Sequence, residues 1–163
     1  MTMLPVSRPA LLDVNVLVAL FIPDHVHHDI AHDWFADNQA KGWATCPITE
    51  NGFVRILSNP TFGPGSPRDT VPPRPSDLVA RLRKFTAARE HVFWPDAVSL
   101  TDTTLFDPAY TLGHRQITDV YYLLGLAKKM GGLLATLDGA VPLGAVKGAT
   151  RHHLAVIAKS DDD

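Results

Sequence analysis

Cysteine is almost missing from this chain: Cys46 is the only one. That excludes an intrachain disulfide and a zinc site of the multi-cysteine kind, and it fits a reducing compartment. An excess of positive charge is missing too. The formal net charge of −2 offers no general attraction to polyanions or anionic membranes. A phosphate-bearing partner would therefore have to meet a local basic patch or a bound cation. The opening stretch "MTMLPVSRPA" lacks a basic segment followed by an apolar one, and the longest apolar run is interrupted by Asp13 and Asn15. Neither a signal peptide nor a membrane span is expected, and the protein is read as cytosolic.

What is present describes an ordinary folded chain. Its 163 residues, 45% apolar and 20% charged, suit one globular domain spanning 1–163. "LLDVNV" has the short, β-branched character of a buried strand, and "DHVHHDIAHDWFADNQ" has helical spacing through Val26, Ile30 and Trp34, with Asp24 as its N-cap. "GWATC" reads as a second strand. "PITENGFVRILSN" reads as a helix opened by Pro47 and ended near Asn59 and Pro60. From about 60 to 75, proline and glycine are dense enough to expect an exposed loop. "SDLVARLRKFTAAR" is helical with Ser76 as cap, and "HVFW" a strand. "ITDVYYLLGLAKKMGG" is a helix capped by Thr118, buried through Leu123, Leu126 and Ala127, and stopped by Gly131. "GGLLATLD" is a strand ending at Asp138, "HHLAVI" a last strand, and 159–163 an acidic frayed tail. Apolar strands alternating with helices predict an α/β domain: a mainly parallel central sheet with helices on both faces.

Asp13 is the residue this pattern does not explain. An acid and an amide inside a run of Leu, Val and Ala would each cost roughly 1–3 kcal/mol if buried without partners. Ligands of open parallel sheets lie beyond the carboxyl ends of the strands. Asp13 and Asp138 fall at or near such ends, and Glu50 and Asp119 fall in first turns of predicted helices that reach the same rim. Converging carboxylates repel one another unless a cation neutralises them. Hard oxygen donors select Mg²⁺, with Mn²⁺ as substitute, and the chemistry that follows is phosphodiester hydrolysis by activated water. Taken singly, each acid has a plainer reading as a turn former, helix cap or dipole partner.

Four stretches, "LLDVNVLVAL", "TENGFVRILSNP", "ITDVYYLLGLA" and "ATLD", occur in an order and spacing that resemble the PIN-domain superfamily. Within it the chain resembles VapC-type toxin ribonucleases of toxin–antitoxin pairs. The resemblance covers nearly the whole chain and implies a PIN-like fold. It implies that Asp13, Glu50, Asp119 and Asp138 bind metal, with Asp13 and Asp119 foremost as direct ligands. Asn15 and Thr118 match the polar residues accompanying the first and third acids, and Thr136 the threonine two before the last. They would orient carboxylates or water. The resemblance also implies an RNA substrate, a homodimer, and a cognate VapB-like antitoxin that inserts a side chain into the acidic pocket. The segment 60–75 is longer and richer in proline than in many small members.

Other signals have competing readings. His28 and His32 are one helical turn apart, as zinc ligands can be, but no further ligands are fixed nearby, so a polar histidine-rich helix face is expected. Arg68, Arg74, Arg81, Arg83, Lys84 and Arg89 form either a solvated face or a contact for RNA phosphates or an acidic antitoxin segment. Cys46 reads as a core residue, and Arg55 as a partner for a carboxylate or substrate. The alternatives to a toxin are a housekeeping PIN-like nuclease, a non-catalytic RNA- or protein-binding module, and a phosphatase using Asp13 as nucleophile. The phosphatase lacks its proton donor, because Asn15 stands where a second acid is needed.

Overall fold

The computed structural model describes residues 8–61, 71–111 and 113–159, with side chains except at 119–121. Five parallel strands, β1 (Ala10–Leu12), β2 (Trp43–Thr45), β3 (His91–Phe93), β4 (Leu133–Thr136) and β5 (Leu154–Val156), form one sheet in the order β3-β2-β1-β4-β5. The predicted parallel sheet is thus observed, and every strand pair in it is parallel. Around it lie α1 (Val14–Phe21), α2 (His28–Asn38), α3 (Pro47–Leu57), α4 (Pro75–Thr86) and α5 (Leu123–Lys129).

Strand side chains alternate between two separate cores, as a sheet covered on both faces requires. Ala10, Leu12, Trp43 and Ala135 point to a core shared with α1, α3 and α4 through Leu17, Phe53, Leu78 and Leu82. Leu11, Ala44 and Leu134 point to the opposite core, filled by Phe106, Leu123, Leu124 and Leu126. β1 sits at the centre. The chain leaves it towards β2 on one side and returns as β4 on the other, so the winding reverses between the carboxyl ends of β1 and β4. At such a reversal the flanking connections part, leaving a crevice where ligands bind.

Several boundaries differ from those predicted. The strand in "LLDVNV" ends at Leu12, and Val14–Phe21 is helix, with Val14, Val16, Leu17, Val18, Ala19 and Leu20 all buried. A helix apolar on nearly every side has no periodicity to betray it, and its valines favour the strand reading. α2 starts at His28 with His27 rather than Asp24 at its N-cap position. α4 starts at Pro75 behind Arg74, so Ser76 lies within the helix; proline's fixed φ suits that first position. Thr118 is no cap: Ile117–Tyr122 is a π-helical stretch running directly into α5. β4 ends at Thr136, two residues before Asp138. Gly131, at φ 78°, ends α5 in a Schellman motif, its N–H donating to Lys128 O and that of Gly132 to Ala127 O. Of the expected loop and acidic tail, 62–70 and 160–163 lie outside the described residues.

Candidate active site

Asp13 follows the last residue of β1 and occupies the N-cap position of α1. Its backbone N–H donates to Ala135 O at 2.9 Å, and its carbonyl accepts from Val16 and Leu17, so both the sheet and the helix fix it. The side chain is only 1% exposed and makes no capping bond to its own helix. Instead Oδ2 accepts a 2.7 Å hydrogen bond from Thr136 Oγ1 at the end of β4, across the winding reversal.

Thr136, wholly buried, is the hub of a small network. Its hydroxyl hydrogen goes to Asp13. Its oxygen accepts from Asn15 Nδ2 at 3.3 Å and from the Asp138 backbone N–H at 3.1 Å. Asn15 Oδ1 accepts from the Leu137 N–H at 3.3 Å. Asn15 therefore ties the first turn of α1 to the chain leaving β4. The exposed Asp138 is held here by its backbone, while its Oδ1 accepts from Ala140 N–H in a local turn.

Glu50 enters from α3. Pro47 opens that helix, and the Cys46 N–H donates to Thr49 Oγ1 at 3.0 Å, which sets Glu50 in the first turn beside the helix's positive end. The carboxylate, half-buried, accepts from Thr45 Oγ1 at 2.8 Å, and Thr45 Oγ1 lies 2.8 Å from His91 Nε2. Burial holds the His91 ring below the usual histidine value of 6.5, against the pull of the Glu50 carboxylate and of the Thr86 backbone.

A cavity of about 790 Å³ opens beside Asp13. Asp13, Asn15, Thr118, His25, Asn51 and Arg55 give it polar lining, and Val14, Val18, Ile48 and Ile56 supply apolar wall. Its shape depends on the close crossing of α1 and α3. A Cβ added at Gly52 would stand 2.8 Å from Val14 Cγ2, so only glycine permits that approach. Burial, and after it the charges of His27 and His28, keep His25 below the usual 6.5.

The seven residues singled out from the sequence thus divide. Asp13, Asn15 and Thr136 form one hydrogen-bonded group, joined by the Asp138 backbone, and Thr118 shares the cavity with Asp13 and Asn15. The Glu50 and Asp138 carboxylates are not among the cavity's lining groups. The Asp119 side chain lies outside the described residues, while its backbone sits in the π-helical stretch one residue past Thr118. Such widened turns are frequent at functional sites. Among the described residues no three of His, Cys, Asp and Glu gather closely enough to hold a metal ion.

Sequence reasoning missed Thr45, His91 and Asn51, because nothing local to those residues marks them, whereas Arg55, marked as a partner for a carboxylate or substrate, does line the cavity. His28 Nδ1 lies 2.7 Å from Ala19 O and the exposed His32 Nε2 3.0 Å from Leu20 O, so the histidines of this polar helix face also meet the carbonyl end of α1. Arg81 lies over the Phe21 ring, 5.1 Å from its centroid, and Arg68 falls outside the described residues.

No protein-family model matches the chain. It is 43% identical over 148 residues to Ribonuclease VapC44 of Mycobacterium tuberculosis (strain ATCC 25618 / H37Rv), an alignment covering 91% of this chain and 99% of that protein. It is 44% identical over 132 residues to Ribonuclease VapC39 of the same strain, covering 81% and 90%. Ribonuclease VapC38, again of that strain, is 42% identical over 132 residues, covering 81% and 86%.

Proposed function

Because the chain belongs to the VapC family of ribonucleases, we propose that it cleaves RNA at the cavity beside Asp13, using a divalent cation held by carboxylates. It is a nuclease of the kind that forms the toxin half of a toxin–antitoxin pair, on an α/β PIN-like domain. The observation that carries the assignment of the site is Asp13 itself. Asp13 is 1% exposed at the strand rim, one of its carboxylate oxygens is oriented by Thr136, and it lines an open cavity through which a hard cation can reach it.

The donors suit a hard dication rather than zinc: the acids offer only oxygen, and neither cysteine nor a histidine cluster is needed. Asp13 and Asp119 are the proposed direct ligands, Glu50 and Asp138 the supporting acids, and Mg²⁺ the ion, with Mn²⁺ able to replace it. Bound there, the cation would neutralise charge on the scissile phosphate and acidify a water. The chain's own residues do the remainder. Thr136 fixes one oxygen of Asp13, and Asn15 pins the crossing after β4 so that this oxygen stays put. Thr118 is exposed within the cavity and is placed to orient water or substrate. Arg55 and Asn51, exposed in the cavity lining, are suited to phosphate oxygens of the bound strand. Local positive charge of this kind is what a chain of net charge −2 needs in order to engage RNA.

A VapB-like antitoxin covering this cavity and a homodimeric assembly complete the reading. No described helix is long and apolar enough to cross a membrane. The test is cleavage of RNA by the wild type and by Asp13→Asn, each in Mg²⁺ and in chelator. Asparagine keeps the shape and can still accept from Thr136, so the variant should fold. Cleavage by the wild type only, and only with metal, is expected. Metal-dependent cleavage by folded Asp13→Asn would overturn the assignment.

A further inference from the structure

The hydrogen bonds behind Glu50 define more than its position. Thr45, 0% exposed at the end of β2, has its hydroxyl oxygen 2.8 Å from Glu50 Oε2 and 2.8 Å from His91 Nε2. A threonine hydroxyl carries one hydrogen, and an ionised carboxylate can only accept. The hydrogen therefore goes to Glu50, and His91 must bring its own hydrogen on Nε2 to satisfy the Thr45 oxygen. The tautomer of His91 is fixed by this count. A directed chain runs from the edge strand β3, through β2, into the first turn of α3.

Sheet register places the parts of this chain. His91 pairs with Trp43 in the β2–β3 register, two positions before the Thr45–Phe93 pair, so Thr45 and His91 share one face of the sheet. The His91 ring packs on Trp43 with ring centroids 4.6 Å apart. Glu50 Oε2 is thus engaged from the side, whereas Oε1 accepts no hydrogen bond from a described residue. We infer that Thr45 and His91 are positioning residues for Glu50, locking one carboxylate oxygen so that the other is presented, at fixed orientation, to the metal ion or its waters. This deepens the function proposed above and rests on Glu50 being one of the acids that serve the cation. Hydrogen bonds in series polarise one another, so the His91 N–H strengthens the bond Thr45 gives to Glu50. Partners of this kind, one step removed from a metal, typically alter affinity or activity by roughly 10- to 100-fold when lost.

The experiment is an Mn²⁺ titration of the full chain followed by thermal unfolding, since a cation that prefers the native state raises its stability. The wild type, Asp13→Asn, Glu50→Gln, Thr45→Val, Thr45→Ser, His91→Phe and His91→Gln are compared, with metal-free melting recorded for each. Thr45→Val and His91→Phe should raise the Mn²⁺ midpoint about tenfold, while Thr45→Ser and His91→Gln, which keep a donor, should stay near wild type. The double variant Thr45→Val/His91→Phe should be no worse than Thr45→Val alone, because the two act in series. A midpoint unmoved by Thr45→Val, with Glu50→Gln shifting it strongly, overturns the positioning role and leaves the metal site standing. No effect of Glu50→Gln, with the response abolished by Asp13→Asn, overturns the inference by removing Glu50 from the site. A wild type indifferent to Mn²⁺ overturns both readings. Should Thr45→Val fail to fold, the contrast between His91→Phe and His91→Gln decides alone.

Discussion

Replacing Thr136 by valine, nearly the same shape without the hydroxyl, removes the hub beneath the site at a single stroke. Three hydrogen bonds end there: the 2.7 Å bond it gives to Asp13, the 3.3 Å bond from Asn15 and the 3.1 Å bond from the Asp138 N–H. The first dominates, because a hydrogen bond to a charged group contributes about 1.5–3 kcal/mol and Asp13 at 1% exposure has little access to replacement water. The Asn15 bond is long and adds about 0.5 kcal/mol, and the amide of the exposed Asp138 can rehydrate at little cost. The expected loss is therefore about 2–4 kcal/mol, or roughly 6–12 °C in Tm for a loss near 3 kcal/mol in a chain of this size. Denaturant unfolding with and without Mn²⁺ measures it. Metal should reduce the deficit, since a cation supplies the counter-charge that the hydroxyl gave in part, and Thr136→Ser should restore most of the stability. Wild-type stability in metal-free Thr136→Val would refute the claim that this hydroxyl keeps the Asp13 carboxylate in place.

Gly52→Ala should destabilise the fold by roughly 1–3 kcal/mol from overpacking, less about 1 kcal/mol of improved helix propensity, and adding Val14→Ala should recover the loss; thermal melts of the wild type and the two variants check this. His25, His91 and His153 all favour the neutral ring in the folded protein, chiefly through burial. Their folded pKa values lie below the usual 6.5, so the unfolded chain binds more protons as pH falls past that value. Stability should hold above it and decline below, and a denaturant midpoint that is flat or rising from about pH 7 to pH 5.5 would contradict this. Arg55→Ala should raise KM for RNA about tenfold, leave kcat near wild type and flatten the salt dependence, as loss of a phosphate contact does; steady-state kinetics at two salt concentrations read it.

How much of this could be read from the residues alone depends on whether the signal was local. Asp13 stood out because a carboxylate in an apolar run has to be accounted for, and the strands "GWATC", "HVFW" and "HHLAVI" could be read from short apolar stretches between helical patterns. α1 was hidden for the opposite reason: a helix buried on most sides has no polar face, so composition outweighed period. The helix starts at Pro75 and His28 were misplaced because Ser76 and Asp24 are good caps by type, while the backbone turned elsewhere. Thr45 and His91 are 46 residues apart, and only the β2–β3 register brings them together. The same applies to Thr136 and Asp13, 123 residues apart: a resemblance could suggest both residues, but only coordinates could give the bond between them. Widening of the helix at Asp119 into a π-helical stretch had no marker in "ITDVYYLLGLA".

The proposed function stands on a hard dication held between Asp13 and Asp119 at the crevice where the sheet reverses its winding. Anomalous diffraction from crystals grown with Mn²⁺ locates such an ion directly. A peak is expected within bonding distance of oxygens of both Asp13 and Asp119, weakened or lost in Asp13→Asn crystals. A fully ordered site at saturating Mn²⁺ with no peak beside Asp13, or with the ion bound elsewhere on the chain, would contradict it.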